Sequence, residues 1–272
     1  LAGNFVLSAI QDQEGNFWLG TNNGVSRMDP AATSGSDFWT TYNAEYALPH
    51  NQVRGILEDG DGRIWVATPG GLVAYDGSEW ERFTEKDGLP GNGGTALCLD
   101  RSGRVWVGLR GGAAVFDGKR FQGFSTGDGL VNNEVVTIHQ DREGHLWFGT
   151  LGGVSQYDDR TWRTYREEDG LAHNEIWAGF CDSRGNLWFG TGGGFGAGGA
   201  GVSRFDGSRW TTYTTKDGLA ANTVYSFSEM PSGDLWVGTS QGASRLTFAD
   251  DGTVTIGSLG VSQGLPSAAV TA

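Results

Sequence analysis

The sequence predicts an all-β propeller made of four-stranded antiparallel blades. A Gly-x-[apolar]-Trp step occurs six times in the 272 residues, and the gaps between its tryptophans are 47, 41, 41, 41 and 48 residues. A four-stranded blade uses about 40–45 residues. The chain also contains 47 Gly and 11 Trp, which is typical of tight turns between strands packed with aromatic side chains. The tryptophans of the repeat are Trp18, Trp65, Trp106, Trp147, Trp188 and Trp236.

The second repeat predicts the strands of one blade in order. Apolar alternation places strands at residues 51–57, 63–68, 72–75 and 79–83. Asp76-Gly77 suits a two-residue hairpin, because Gly tolerates the positive φ of a type I′ turn. The other repeats fit the same frame.

Two polar positions recur at a fixed distance from the repeated tryptophan. An Asp in the first turn is expected to accept backbone N–H groups, and an Asn fourteen residues before the Trp is expected to cap a loop or bridge neighbouring blades. The aspartates are Asp12, Asp59, Asp100, Asp141 and Asp182, with Met230 in the sixth repeat. The asparagines are Asn4, Asn51, Asn92, Asn133, Asn174 and Asn222.

The repeat predicts one propeller domain over residues 1–272. We place blades at residues 1–47, 48–88, 89–129, 130–170, 171–218 and 219–263. Residues 264–272 repeat the phase of residues 1–8, so they begin the first strand of a seventh unit. Two arrangements stay open: six blades that close a ring, or a segment of a longer array.

The composition of the chain limits the classes of partner that it is expected to bind. The formal charge of −13 disfavours nucleic acid and anionic membranes. No run approaches the roughly 20 apolar residues of a membrane span. Cys98 and Cys181 lie two blades apart, so we expect no disulfide between them. No motif predicts a cofactor or a metal site. The chain opens at Leu1 without Met, so we expect that an upstream piece has been removed.

Residues 141–158, 182–191 and 12–29 resemble the two-component regulator propeller repeat, as do the Asp-Gly-Leu links at Asp87, Asp128, Asp169 and Asp217. In that family such repeats commonly form the periplasmic sensor half of hybrid histidine kinases, often responding to carbohydrates. The resemblance therefore implies an extracytoplasmic sensor or interaction module, periplasmic or extracellular, in signal transduction. The kinase domain and the membrane span of such hybrid histidine kinases have no counterpart in this sequence.

A ligand site is expected where the repeat is broken, on the face that carries the blade links and the turns between second and third strands. Eleven residues before the repeated Trp stand Arg54, Trp177 and Tyr225, and thirteen before stand Glu134 and Glu175. Aromatic faces beside carboxylates suit stacking on a sugar or a cation. Repeat five also inserts seven residues within 192–201, which form a flexible loop or a lid with Phe195 at its tip. The predicted partner is a small polar or carbohydrate ligand, or a protein.

Two alternatives to a binding module stay open. One is a propeller enzyme of the streptogramin-lyase type, which would use His50 or His173 close to an acid. Two histidines in different blades are a weak pattern for a catalytic metal, which takes three protein ligands. The other alternative is a structural subunit of a larger assembly.

Overall fold

The structure is a computed structural model that describes residues 1–32, 38–192, 198–249, 251–265 and 267–271. Within these residues, 24 strands form six four-stranded sheets, and in each sheet the strands are hydrogen-bonded in chain order. The prediction of an all-β propeller with antiparallel four-stranded blades is confirmed. Each sheet is one blade. The chain divides into two compact units, the first made of residues 1–128 with 133–138 and the second of 129–132 with 139–272.

The first unit contains blades one to three. Blade one has β1 (Val6–Gln11), β2 (Phe17–Thr21), β3 (Gly24–Met28) and β4 (Trp39–Tyr42). Blade two has β5 (Gly55–Glu58), β6 (Ile64–Thr68), β7 (Gly71–Tyr75) and β8 (Trp80–Phe83). Blade three has β9 (Gly94–Leu99), β10 (Val105–Leu109), β11 (Gly112–Phe116) and β12 (Phe121–Phe124).

The second unit contains blades five and six and most of blade four. Blade four has β13 (Val135–Gln140), β14 (Leu146–Thr150), β15 (Gly153–Tyr157) and β16 (Trp162–Tyr165). Blade five has β17 (Ile176–Cys181), β18 (Leu187–Thr191), β19 (Val202–Phe205) and β20 (Trp210–Tyr213). Blade six has β21 (Val224–Glu229), β22 (Leu235–Thr239), β23 (Gly242–Phe248) and β24 (Val254–Leu259). Short 3-10 helices at Glu85–Asp87, Glu167–Asp169 and Val261–Gln263 precede left-handed glycines.

The first strand of blade two begins later than the sequence predicts, at Gly55 instead of residue 51. The preceding residues bond elsewhere: the Asn51 side chain accepts from the Ala44 N–H at 2.8 Å, and the Val53 N–H donates to the Thr21 carbonyl of blade one at 2.9 Å. These backbone groups therefore link consecutive blades before the ladder starts. The predicted capping role of the repeated Asn is confirmed here, and equally at Asn133, Asn174 and Asn222.

The repeated tryptophan is fixed by the aspartate of its own blade. Besides the predicted backbone contacts, the carboxylate accepts the indole Nε1–H of the tryptophan six residues later, a bond the sequence reasoning missed. The Trp-to-Asp distances are 2.7 Å for Trp18–Asp12, 2.7 Å for Trp65–Asp59, 2.9 Å for Trp106–Asp100, 2.7 Å for Trp147–Asp141 and 2.9 Å for Trp188–Asp182. Because this bond satisfies the indole N–H, the ring can be fully buried.

Aromatic rings and a glycine bring consecutive blades together. The Trp65 ring of blade two lies 5.2 Å from the Phe116 ring of blade three, and Trp188 of blade five lies 5.9 Å from Phe248 of blade six. At Gly190 an added Cβ would stand 2.5 Å from Cγ1 of Val224, so only Gly permits this approach of blades five and six. Cys98 and Cys181 form no disulfide. None of the helices in the described residues is long and apolar enough to cross a membrane.

Candidate functional site

The first strands share one irregularity near their starts. In blades one, three, five and six, one extra residue stands in the first strand between two consecutive ladder pairs with the second strand. These residues are Leu7, Thr95, Trp177 and Tyr225. In blade two the Arg54 N–H donates to the Ala67 carbonyl at 2.9 Å, while Gly55 is the ladder partner of Ala67. We call Leu7, Arg54, Thr95, Trp177 and Tyr225 the bulge register.

A bulge bends its strand and re-aims the extra side chain away from the regular alternation. Trp177 is 40 % exposed although its neighbours Ile176 and Ala178 are buried. Tyr225 is 39 % exposed beside the buried Val224. Large aromatic side chains are therefore presented to solvent by well-packed strands of the second unit.

The two aromatic residues lie on strands that contact each other, β17 and β21. In the described part of the chain, neither ring packs against another aromatic ring. Both side chains therefore remain partly exposed to solvent. Glu175, two residues before Trp177, is half-buried, and its N–H donates to Nδ1 of His173 at 3.0 Å. Phe195, which we predicted at the tip of a lid, lies outside the described residues.

Arg54 and Glu134, the other predicted site residues, belong to the first unit. Arg54 is half-buried, and desolvation is the main cause that lowers the pKa of its guanidinium group. The charge of Arg110 lowers this pKa further, and the charge of Glu134 raises it. The structure therefore brings Arg54 within electrostatic range of Glu134, as well as of a second arginine.

Arg110 is a candidate that the sequence reasoning missed. It directly follows β10, and its N–H donates to the Gly93 carbonyl at 3.1 Å. Its position is the residue directly after the second strand, outside the first strands that carry the other candidate residues. Across the six blades that residue is Asn22, Pro69, Arg110, Leu151, Gly192 and Ser240. Arg110 is the single charge in that register, and this contrast would have revealed it.

The lyase alternative required a histidine close to an acid. Nε2 of His173 lies 3.9 Å from Oε1 of Glu167, so one histidine meets that distance. However, Nδ1 of His173 accepts the Glu175 N–H at 3.0 Å, and Nδ1 of His50 accepts the Gln52 N–H at 2.9 Å. Because an imidazole whose Nδ1 accepts a hydrogen bond carries its proton on Nε2, neither ring offers a free lone pair for a base or a metal ligand.

Asp141, Glu143 and His145 bring possible metal-ligating atoms within 4.8 Å of one another. The turn itself explains this cluster. Oδ2 of Asp141 already accepts from the Trp147 indole at 2.7 Å and contacts Nδ1 of His145 at 3.0 Å. The residue at the position of His145 donates to the turn aspartate in four other blades as well, through Asn16, Arg63, Arg104 and Asn186. His145 is therefore a turn donor, and we assign no metal to it.

A sequence profile described as two component regulator propeller matches residues 1–23, 47–70, 129–152 and 170–193. Each of these segments contains the first strand and the repeated Trp of its blade. Four repeats of the chain therefore match the two-component regulator propeller repeat. This confirms the family predicted from the resemblance. No curated protein sequence matches the chain significantly.

Solved structures share the fold. The chain is similar to the extracellular domain of a hybrid two component system protein from B. thetaiotaomicron, with a TM-score of 0.79, 24 % identity and coverage of 99 % of this chain and 36 % of that one. A second similar structure is the extracellular domain of a one component system protein from B. thetaiotaomicron, with a TM-score of 0.74 and 23 % identity. The match covers 94 % of this chain and 36 % of that one. The chain is also similar to virginiamycin B lyase from Staphylococcus aureus, with a TM-score of 0.68, 13 % identity and coverage of 97 % of this chain and 87 % of that one. The chain spans about a third of the length of the two B. thetaiotaomicron chains.

Proposed function

We propose that this propeller is an extracytoplasmic sensor or interaction module that binds a carbohydrate-like or other small polar ligand. Trp177 and Tyr225 of the bulge register are the proposed contacts, with Glu175 beside them. Arg54 and Glu134 are proposed contacts in the first unit, and Phe195 stays a predicted contact.

The observation that carries the proposal is the exposure of Trp177 and Tyr225 at bulges directly beside the buried Ile176 and Val224. A rigid ring on a packed strand loses little conformational entropy when a ligand stacks on it. Carboxylates and amides nearby can orient the hydroxyl groups of a sugar. The extracellular origin of two similar structures supports the proposed location.

We do not propose lyase activity. The similarity to virginiamycin B lyase rests on 13 % identity, which concerns the fold. The occupied Nδ1 atoms of His50 and His173 also argue against a histidine base.

A panel of neutral and acidic oligosaccharides tests the proposal, with tryptophan fluorescence and melting temperature as readouts. We expect at least one sugar to shift both. We expect Trp177→Ala and Tyr225→Ala each to weaken its binding by about tenfold or more, as for a central aromatic contact. Tyr46→Ala is the matched control, since Tyr46 is 81 % exposed and lies outside the bulge register. A panel without any shift would refute the carbohydrate version.

A further inference from the structure

The first unit contains two arginines without carboxylate partners at one edge of neighbouring blades. Arg54 stands at the bulge of the blade two first strand, and Arg110 follows the second strand of blade three. Among the described residues, neither guanidinium group forms an ion pair or a hydrogen bond with a carboxylate. Arg54 is half-buried, so its charge is partly removed from water, and the charge of Glu134 acts on it without forming an ion pair.

This lack of partners stands out because carboxylates are abundant, at 32 against 19 basic residues. Several arginines elsewhere in the blades are paired with them: Arg63 with Asp59 at 3.0 Å, Arg104 with Asp100 at 2.6 Å and Arg245 with Asp234 at 2.6 Å. Arg54 and Arg110 differ from these three arginines, because no carboxylate of the described residues forms an ion pair with them.

Backbone geometry holds the two arginines near each other. Ala67, which accepts from the Arg54 N–H, packs against Gly94 so closely that a Cβ on Gly94 would stand 3.1 Å from Cβ of Ala67. The side chain of Arg110 lies over Gly93, where an added Cβ would stand 3.2 Å from its Cδ. The two glycines thus let blade three, with Arg110, approach Arg54.

We propose that Arg54 and Arg110 bind the anionic group of a ligand, a carboxylate or a sulfate ester carried by a sugar. Two guanidinium groups suit such a group because each offers several N–H donors in a planar arrangement that matches its oxygens. The anion would also offset the repulsion between the two positive charges, since the charge of Arg110 is the second cause, after desolvation, that lowers the pKa of Arg54. The inference rests on the proposed function and extends it by naming the charge of the ligand.

Calorimetric titration of the full chain at low salt tests this inference. The probes are trigalacturonate and its neutral methyl ester, N-acetylgalactosamine 6-sulfate and N-acetylgalactosamine, and sodium sulfate. The variants are Arg54→Gln and Arg110→Gln. Arg120→Gln is the control, since Arg120 is 84 % exposed in an outer hairpin and loses the same charge. Melting curves verify that each variant is folded, and the exposed Arg110 allows a test even if Arg54→Gln unfolds.

We expect one acidic sugar to bind at least tenfold more tightly than its neutral counterpart. Each site variant should lose most of that difference, and the control should bind within about twofold of the wild type. The carboxylate and sulfate pairs then distinguish the two sources of the anion. Sulfate binding that depends on both arginines, with no sugar bound, would support the anion site and contradict the carbohydrate proposal.

Equal binding of the acidic and neutral sugars, with unchanged affinity in both variants, would overturn the anion site and leave the proposed function standing. The absence of binding by every probe would overturn the inference and count against the carbohydrate proposal.

Discussion

The indole N–H of Trp65 donates to Oδ2 of Asp59 across the first hairpin of blade two at a distance of 2.7 Å. Both side chains are buried, with Trp65 at 0 % and Asp59 at 3 % exposure. The same carboxylate accepts from the backbone N–H groups of Asp61 and Arg63 and from the Arg63 side chain. One aspartate therefore holds the turn, the hairpin and the central ring of the blade together.

Asp59→Ala is expected to lower the free energy of unfolding by about 2–4 kcal/mol. The substitution leaves a buried indole N–H and several turn donors without an acceptor, which costs more than the loss of a single bond. Urea denaturation measures the change. Asp61→Ala in the same turn is the control, because Asp61 is 84 % exposed, and should change the stability by less than about 0.5 kcal/mol. Equal losses in the two variants would contradict the role of the buried bond.

Blade six departs from this pattern and offers a gain-of-stability test. Met230 replaces the aspartate, and Asp234 stands where the other blades have a donor. The turn keeps its backbone bonds, with the Met230 N–H donating to the Asp234 carbonyl at 2.9 Å. Met230→Asp with Asp234→Asn restores the Asp and Asn of blades one and five, and we expect the new carboxylate to accept the Trp236 indole N–H.

A double-mutant cycle followed by thermal unfolding measures the effect. The two changes should couple favourably by about 1 kcal/mol, the usual net value of such a bond. Met230→Asp alone should be less stable than the double variant, because it places two carboxylates next to each other. Additive single effects would contradict this explanation of the pattern.

His139 gives the fold a pH dependence of known sign. Burial lowers the pKa of its imidazole to about 4, and a hydrogen bond with the Gly179 backbone acts in the opposite direction. The pKa in an unfolded chain is about 6.5. Between these values the unfolded chain binds a proton that the folded chain does not, so the free energy of unfolding falls as the pH decreases from 6.5 to 4.

His139→Gln should remove this contribution, on the order of 3 kcal/mol between pH 7 and pH 4. Urea denaturation of both proteins at pH 7, 5.5 and 4.5 measures it. Carboxylates titrate equally in the two proteins, so the difference between them isolates the histidine. If both proteins lost the same stability as the pH falls, His139 would contribute nothing to the pH dependence.

Gly93→Ala tests the geometry of the arginine pair without removing a charge. The new methyl group would stand 3.2–3.5 Å from Cδ, Cγ and Cβ of Arg110, so the side chain of Arg110 has to shift. We expect binding of the acidic sugar to weaken by roughly threefold to tenfold, with little change in melting temperature. Gly77→Ala is unsuitable as a control, because Gly77 has a φ of 97°. Gly60→Ala is suitable, because an added Cβ there meets no atom within 4 Å. Unchanged affinity in Gly93→Ala would contradict a role of Arg110 in binding the acidic sugar.

Spacing alone predicted the sheets and the register of Trp177 and Tyr225, because a propeller repeats one backbone geometry and any residue counted from the Trp falls at the same place. It did not reveal the bulge, since an extra residue in a ladder is visible only once both strands are paired. The hydrogen bond from Trp65 to Asp59 could have been predicted from the sequence, because a separation of six residues between Asp and Trp recurs in five repeats. The proximity of Arg54 and Arg110 depends on the packing of two blades, which spacing within one repeat does not contain.

Hydroxyl-radical footprinting, read by mass spectrometry with and without the oligosaccharide that gives the largest thermal shift, tests most directly whether the bulge register binds the ligand. We predict that bound sugar lowers the labelling of Trp177 and Tyr225 several-fold and leaves the exposed Tyr46 unchanged. Unaltered labelling of Trp177 and Tyr225 in the saturated complex would contradict the account.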